Sequence, residues 1–219
     1  MKNKLFLIGF ISVLAFACKK ESNNKTLTLQ PGPADGNSMS VSAYDADPNV
    51  ANTNDYNHQV FNKELAFGAF RSIDVLTIRR IFISFDLKQL PGKAEIVSAK
   101  LSLFGLSSPV TFPATQGWNN FMVRRVLENW DEETITWNNQ PSTVSEHQLH
   151  LPDVTDPFSI TDMDVTALVK AMRAETPDKT AGFCLRINGE TGPIRTVVFA
   201  SNRHDDPTKR PKLVIEYKD

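Results

Sequence analysis

Ile81-Phe82-Ile83-Ser84-Phe85-Asp86-Leu87 places Ile81, Ile83, Phe85 and Leu87 on one side of an extended chain, and the turn residues Leu90-Pro91-Gly92-Lys93 follow. Beyond that turn, Ala99, Leu101 and Leu103 repeat the same spacing. A period of two with turns between short segments is the signature of β-strands with one buried face. Working outward, Leu27 and Leu29 precede the turn Gln30-Pro31-Gly32-Pro33, and Met39, Val41 and Ala43 alternate with serines. Further such segments are Phe121 with Val123, Thr134 to Trp137, Phe183 with Leu185 and Ile187, Val197 with Phe199, and Leu213 with Ile215 and Tyr217. Many short alternating strands predict an all-β antiparallel sandwich or barrel. One segment departs from the pattern. Val165, Leu168, Val169 and Met172 recur at helical spacing, with Asp164 as an N-cap and Pro177 beyond the end, so one short helix is expected.

The 219 residues, with 24 Lys and Arg against 25 Asp and Glu, carry a formal charge of -1. No basic excess exists to drive general nucleic-acid binding. Lys2 and Lys4, the apolar run Leu5 to Ala17 and then Cys18 read as an export leader too short to span a bilayer. Cys18 at the small-residue boundary resembles the lipidation site of a bacterial lipoprotein signal. The expectation is a leader over 1–17, a lipid-bearing Cys18 with a tether to residue 25, and one domain over 26–219, anchored to the outer membrane and facing outward. Loss of Lys2 and Lys4 leaves 22 basic against 25 acidic residues, a mature charge of -3. With Cys18 committed to lipid, Cys184 has no disulfide partner. Its place between Phe183 and Leu185 makes it a small buried strand residue.

Motifs along the chain resemble a known family. They are Thr26 to Gly36, Phe82 to Leu87, Ile96 to Phe104, Trp130-Asp131-Glu132-Glu133-Thr134-Ile135-Thr136-Trp137-Asn138-Asn139-Gln140-Pro141, Asp164 to Val169, Phe199-Ala200-Ser201 and Arg210 to Ile215. In that order they are similar to the DNRLRE-domain proteins, grouped with carbohydrate-binding module family 96, although the literal hexapeptide is absent and Asn57 departs from a frequent Gly. The resemblance implies a jelly-roll-like β-sandwich on an exported protein, and a class of members that bind uronic-acid polysaccharides such as alginate. Polysaccharide-degrading or uptake proteins are the partners it implies.

A sugar site needs aromatic faces for C–H surfaces, and an acidic sugar needs fixed cations. Trp118, between Gln116-Gly117 and Asn119-Asn120, is the candidate exposed platform, whereas Trp130 and Trp137 read first as core plugs. Arg79 and Arg80, where uronate-binding relatives are also basic, and Arg124 of the Arg124-Arg125 pair are the candidate cations, and gatekeeping charges at a strand edge are the competing account of both pairs. Asp45-x-Asp47-x-Asn49 imitates a calcium loop but lacks its Gly and its bidentate Glu, leaving oxygens for an irregular structural calcium site only. His147 and His150 are expected on opposite strand faces, and His58 and His204 are isolated, so no other metal or cofactor is expected. No nucleophile elbow or phosphate loop occurs. Asp131, Glu132 and Glu133 are where a glycosidase pair would be sought, and caps or turn charges are the plainer account. The functional expectation is a non-catalytic polysaccharide-binding module. The competing reading is a structural or adhesive envelope module with no sugar site, and a small lyase or hydrolase comes third.

Overall fold

A computed structural model of the chain describes residues 23–44, 63–72, 75–106, 115–155, 158–175, 181–191 and 194–219. The leader, Cys18, the Asp45 to Asn57 segment with its calcium-like spacing, and His58 lie outside these residues. The described strands, in chain order, are β1 (Lys25–Leu29), β2 (Ser38–Tyr44), β3 (Glu64–Ser72), β4 (Val75–Phe85), β5 (Glu95–Leu103) and β6 (Phe121–Val126). They continue with β7 (Thr143–Leu151), β8 (Ile160–Asp164), β9 (Ala181–Ile187), β10 (Arg195–Ala200) and β11 (Lys212–Lys218). A single α-helix among the described residues, α1 (Thr166–Glu175), lies between β8 and β9.

The strands form two antiparallel sheets. One has the order β1-β11-β5-β8, and the other β10-β3-β4-β9-β6-β7 with β2 added against β4. The chain passes repeatedly between them, β4 to β5 to β6 and β7 to β8 to β9 among the crossings, as in jelly-roll sandwiches. The expected all-β sandwich with one short helix is the fold.

Strand β4 is the hub of the larger sheet. Thr77 to Ile83 pair with β2, Val75 to Arg79 with β3, and Ile81 to Phe85 with β9. Thr77 and Ile81 each have partners in two strands, so β2 lies along one edge and β3 and β9 share the other. Its inward residues Ile81, Ile83 and Phe85 meet Leu101, Leu103, Leu213 and Ile215 from the facing sheet in one core. Phe67 packs edge-on against Phe121 at 5.0 Å, and Phe85 against Phe183 at 6.2 Å. Such pairs contribute about 0.5–1.5 kcal/mol each beyond the area they bury.

The helix closes the sandwich by burying Leu168, Val169 and Met172 at its flank. Asp164 Oδ1 accepts the Thr166 N–H at 3.0 Å and the Thr166 hydroxyl at 2.6 Å, holding the first turn from just outside it. With Lys100 also 2.9 Å away, these donors hold the Asp164 carboxyl down to about 2.

The sequence expectation fails in one element. Thr134 to Trp137 is a turn rather than a strand, because its backbone is consumed locally. Asp131 O accepts the Ile135 N–H, Asn139 Oδ1 accepts the Thr136 N–H at 2.6 Å, and Asn139 Nδ2 donates to Thr134 O at 2.9 Å. A side-chain amide that satisfies the main chain in this way competes with a strand ladder.

Candidate functional site

The outward face of the larger sheet differs from its inward one. Directly opposed residues of antiparallel strands share a face, so Met39, Phe82, Cys184 and Arg124 form one outward row across β2, β4, β9 and β6. The next row holds Val41 with Arg80, and Arg186 with Met122 and His150. The β2–β4 half is covered by the turn after β6. Trp130 packs edge-on against Phe82 at 5.9 Å, and Ile135 and Trp137 complete a second apolar cluster with Met39, Val41, Val126 and Cys184. Trp130 and Trp137 thus act as packing elements, and Trp137 also carries the Arg80 guanidinium 4.3 Å over its ring.

The arginines run across the face from β4 through β9 to β6. Arg80 donates from Nε and Nη2 to the two carboxylate oxygens of Glu190, at 2.8 and 2.7 Å, and from Nη1 to Gln140 Oε1 at 3.0 Å. Arg186 contacts the same Glu190 carboxylate from Nη2. Arg124 donates from Nε to Gln148 Oε1 at 2.9 Å, and its terminal Nη groups have no protein acceptor among the described residues. Arg80, Arg124 and Arg186 against the single Glu190 leave a local charge of +2 in a chain of formal charge -1. Burial, and after it the neighbouring Arg80, pulls the Arg186 guanidinium below its usual value, while Glu190 opposes the shift. Beneath them Cys184 is fully buried, and burial pushes its thiol up to about 12 against the pull of the same arginines. The thiol beneath the arginines is therefore held in its protonated, unreactive form.

Strand alternation sorts the candidate residues. Arg79 and Arg80 fall on opposite faces of β4, with Arg79 half-buried opposite Ser42 and Gly68. The adjacent pair is therefore not one cationic fork. Arg124 and Arg125 divide in the same way. Arg125 turns inward, 3% exposed, and pairs with Glu175 of α1 and, at 3.5 Å, with Glu146. The structure brings together Arg80 and Arg124 and adds Arg186, Glu190, Gln140 and Gln148; Gln140 lies within the Trp130 to Pro141 motif, but none of the four is a binding candidate from the sequence. Arg186 could have been, since it continues the outward set of β9 begun by Cys184.

Trp118 stands apart, 79% exposed at the entrance to β6. Gly117, at φ 76°, makes the turn before it, and a Cβ there would strike the Ile194 carbonyl. Asn119, fully buried, anchors the turn by donating to Val154 O at 2.9 Å and accepting the Val154 N–H at 2.7 Å. Asn120 then bonds Asn188 and Asp153, which ties the Trp118 turn to the loop that carries Glu190.

The other features of the sequence find structural work. Buried Glu132 accepts the Ser38 N–H at 3.1 Å and pairs with Arg203, and Asp131 Oδ1 accepts the Glu133 N–H at 2.6 Å. They hold turns together. A polar cleft of about 600 Å³ runs beside them, lined by Glu128, Asp131, Asn139, Gln140 and Ser142 among others. Its side chains largely serve its own walls, as where Glu128 accepts the Ser142 N–H at 2.6 Å. A register shift opposite Arg124 interrupts β7, and His147 lies in it at φ 58°. The plain alternation expected between His147 and His150 therefore does not run through; His150 bonds Gln148 at 2.9 Å. Among the described residues no cluster of three or more His, Cys, Asp or Glu could hold a metal, and no helix is long and apolar enough to cross a membrane.

No curated protein matches the chain. The model of carbohydrate-binding module family 96 matches residues 54–217, some three quarters of the sequence, spanning β3 to β11 and every residue of the arginine cluster. The chain belongs to carbohydrate-binding module family 96.

Proposed function

We propose that this module binds an acidic polysaccharide, of uronic-acid type, on the outward face of β4, β9 and β6, without cleaving it. The observation that carries the proposal is the guanidinium of Arg124, half-exposed, with its terminal donors open and Arg186 alongside. A planar guanidinium with open donors accepts a carboxylate bidentately, and such charge-assisted bonds are about twice as strong as neutral ones. Gln140, Gln148 and His150 border the same face and supply hydroxyl partners. Trp118, at the end of β6, offers a ring face to a neighbouring sugar of an extended chain. The alternative of a structural module without a sugar site leaves the local charge of +2 without a purpose.

Gel retardation against alginate, polygalacturonate and neutral dextran tests the proposal. Retention is expected in the uronate gels alone, weakening as salt screens the arginines and yielding no new reducing or unsaturated ends. Equal mobility in all gels would refute it. The leader and Cys18 further support an exported lipoprotein that holds glycan at the outer membrane for degrading or uptake proteins. The corresponding test is cell fractionation, where a Cys18→Ala variant is expected in the soluble fraction and wild type in the membrane. Wild type in the soluble fraction would remove the anchor.

A further inference from the structure

Glu190 occupies an unusual position for an acidic residue in a site read as accepting acids. Its carboxylate takes both Arg80 donors in a two-bond fork and also touches Arg186, which is the geometry expected of a ligand carboxylate on these arginines. It is 11% exposed on its side chain, and it is not held there by chance. Gly189 turns the chain at φ 63°, and Arg195 donates to the carbonyls of Asn188, Gly189 and Thr191, so residues 188–191 are held on both sides of Glu190. Arg80 is fixed in turn by Trp137 below it and Gln140 beside it.

We propose that Glu190 is an internal carboxylate that reserves Arg80 and one side of Arg186, so that the glycan is taken by Arg124 and the remaining side of Arg186. This rests on the acidic-glycan reading above and deepens it. Arg80 serves as a positioning residue that holds Glu190 in place. Glu190 also sets the charge density that the face accepts. With Glu190 present the three guanidiniums sum to +2, suited to one carboxylate per sugar; without it they reach +3, and more densely charged sulfated chains become acceptable.

The test compares wild type, Glu190→Gln, Arg80→Gln and the double variant Arg80→Gln/Glu190→Gln in gels of polygalacturonate, dextran sulfate and neutral dextran, with thermal melting of each. Glu190→Gln, local charge +3, is expected to bind polygalacturonate about three- to tenfold more tightly, to gain retention by dextran sulfate, and to lose affinity more steeply with salt. The double variant has two guanidiniums and no carboxylate, again +2, and is expected within about twofold of wild type because Arg80 does not touch the ligand. Arg80→Gln alone, at +1, is expected to bind about threefold more weakly, since Glu190 then rests wholly on Arg186. Restoration from Arg80→Gln to the double variant reads the effect of Glu190 even where the single Glu190→Gln variant melts too low to assay. Unchanged or weaker binding by folded Glu190→Gln, or a double variant no better than Arg80→Gln, overturns the proposal. Where wild type binds no uronate but Glu190→Gln does, Glu190 stands as the internal carboxylate and the functional reading of wild type falls. Binding by neither overturns both.

Discussion

Arg124 and Arg125 are the same residue one position apart, and the sandwich gives them opposite lives. Arg125 points between the sheets, is almost fully buried, and meets two carboxylates, Glu146 and Glu175. Arg124 points outward, bonds a neutral amide, and has donors to spare. Period-two geometry makes the division, and the partners supply the roles. A charge that ties α1 to β6 and β7 is structural, while the charge repeated across β4, β9 and β6, one acid among three bases, forms the face proposed here to take the glycan.

The sharpest way to break that contrast is on stability. Arg125→Ala removes a buried hydrocarbon stem and its packing, an expected loss of about 2 kcal/mol in denaturant unfolding, to which the exposed partners Glu146 and Glu175 add little. Arg124→Ala is expected within about 0.5 kcal/mol of wild type. Equal losses would erase the distinction. In binding the order reverses: Arg124→Ala should lose about tenfold in uronate affinity at low salt, a deficit that shrinks as salt rises.

Acid sharpens the structural side. Hydrogen bonding from Arg125 holds Glu175 below the ordinary glutamate range, and Thr166 followed by Lys100 holds Asp164 at about 2. Carboxyls depressed by folding contribute stability above their unfolded values, and that contribution is lost as pH falls through the folded ones. Asp164→Asn is therefore expected to flatten the melting-temperature curve between about pH 4 and pH 2, and a curve parallel to wild type would count against the Asp164 assignment. The smallest effect concerns the floor of the arginine face. With its thiol at about 12, Cys184 should resist iodoacetamide in the folded protein at pH 8 and react only on unfolding. Rapid labelling of folded protein would mean that the floor is wet.

Much of this was legible in the residues. Ile81, Ile83 and Phe85, or Leu101 and Leu103, declare a strand and its buried face through spacing alone, and Leu168, Val169 and Met172 do so for the helix. Thr134 to Trp137 misled because local alternation cannot reveal that Asn139 will take the backbone donors first. The candidate arginine cluster was half visible. Arg80 and Arg124 could be named, but their meeting with Arg186 depends on β9 lying between β4 and β6, a long-range pairing that no local pattern encodes. Arg79 enters with Arg80 through the resemblance, where both positions are basic, although a period of two sends neighbours to opposite faces. Glu190 gave no signal, since its role comes from a loop fixed by Arg195.

The most direct test of the central claim is an amide NMR titration of the isotopically labelled module with a uronic-acid oligosaccharide. Shifts concentrated at Met122 to Arg124, Cys184 to Glu190 and Gln148 to His150, and absent in Arg124→Ala, are the expected result. Shifts confined to the cleft walls from Glu128 to Ser142, or to the Trp118 turn alone, would contradict it.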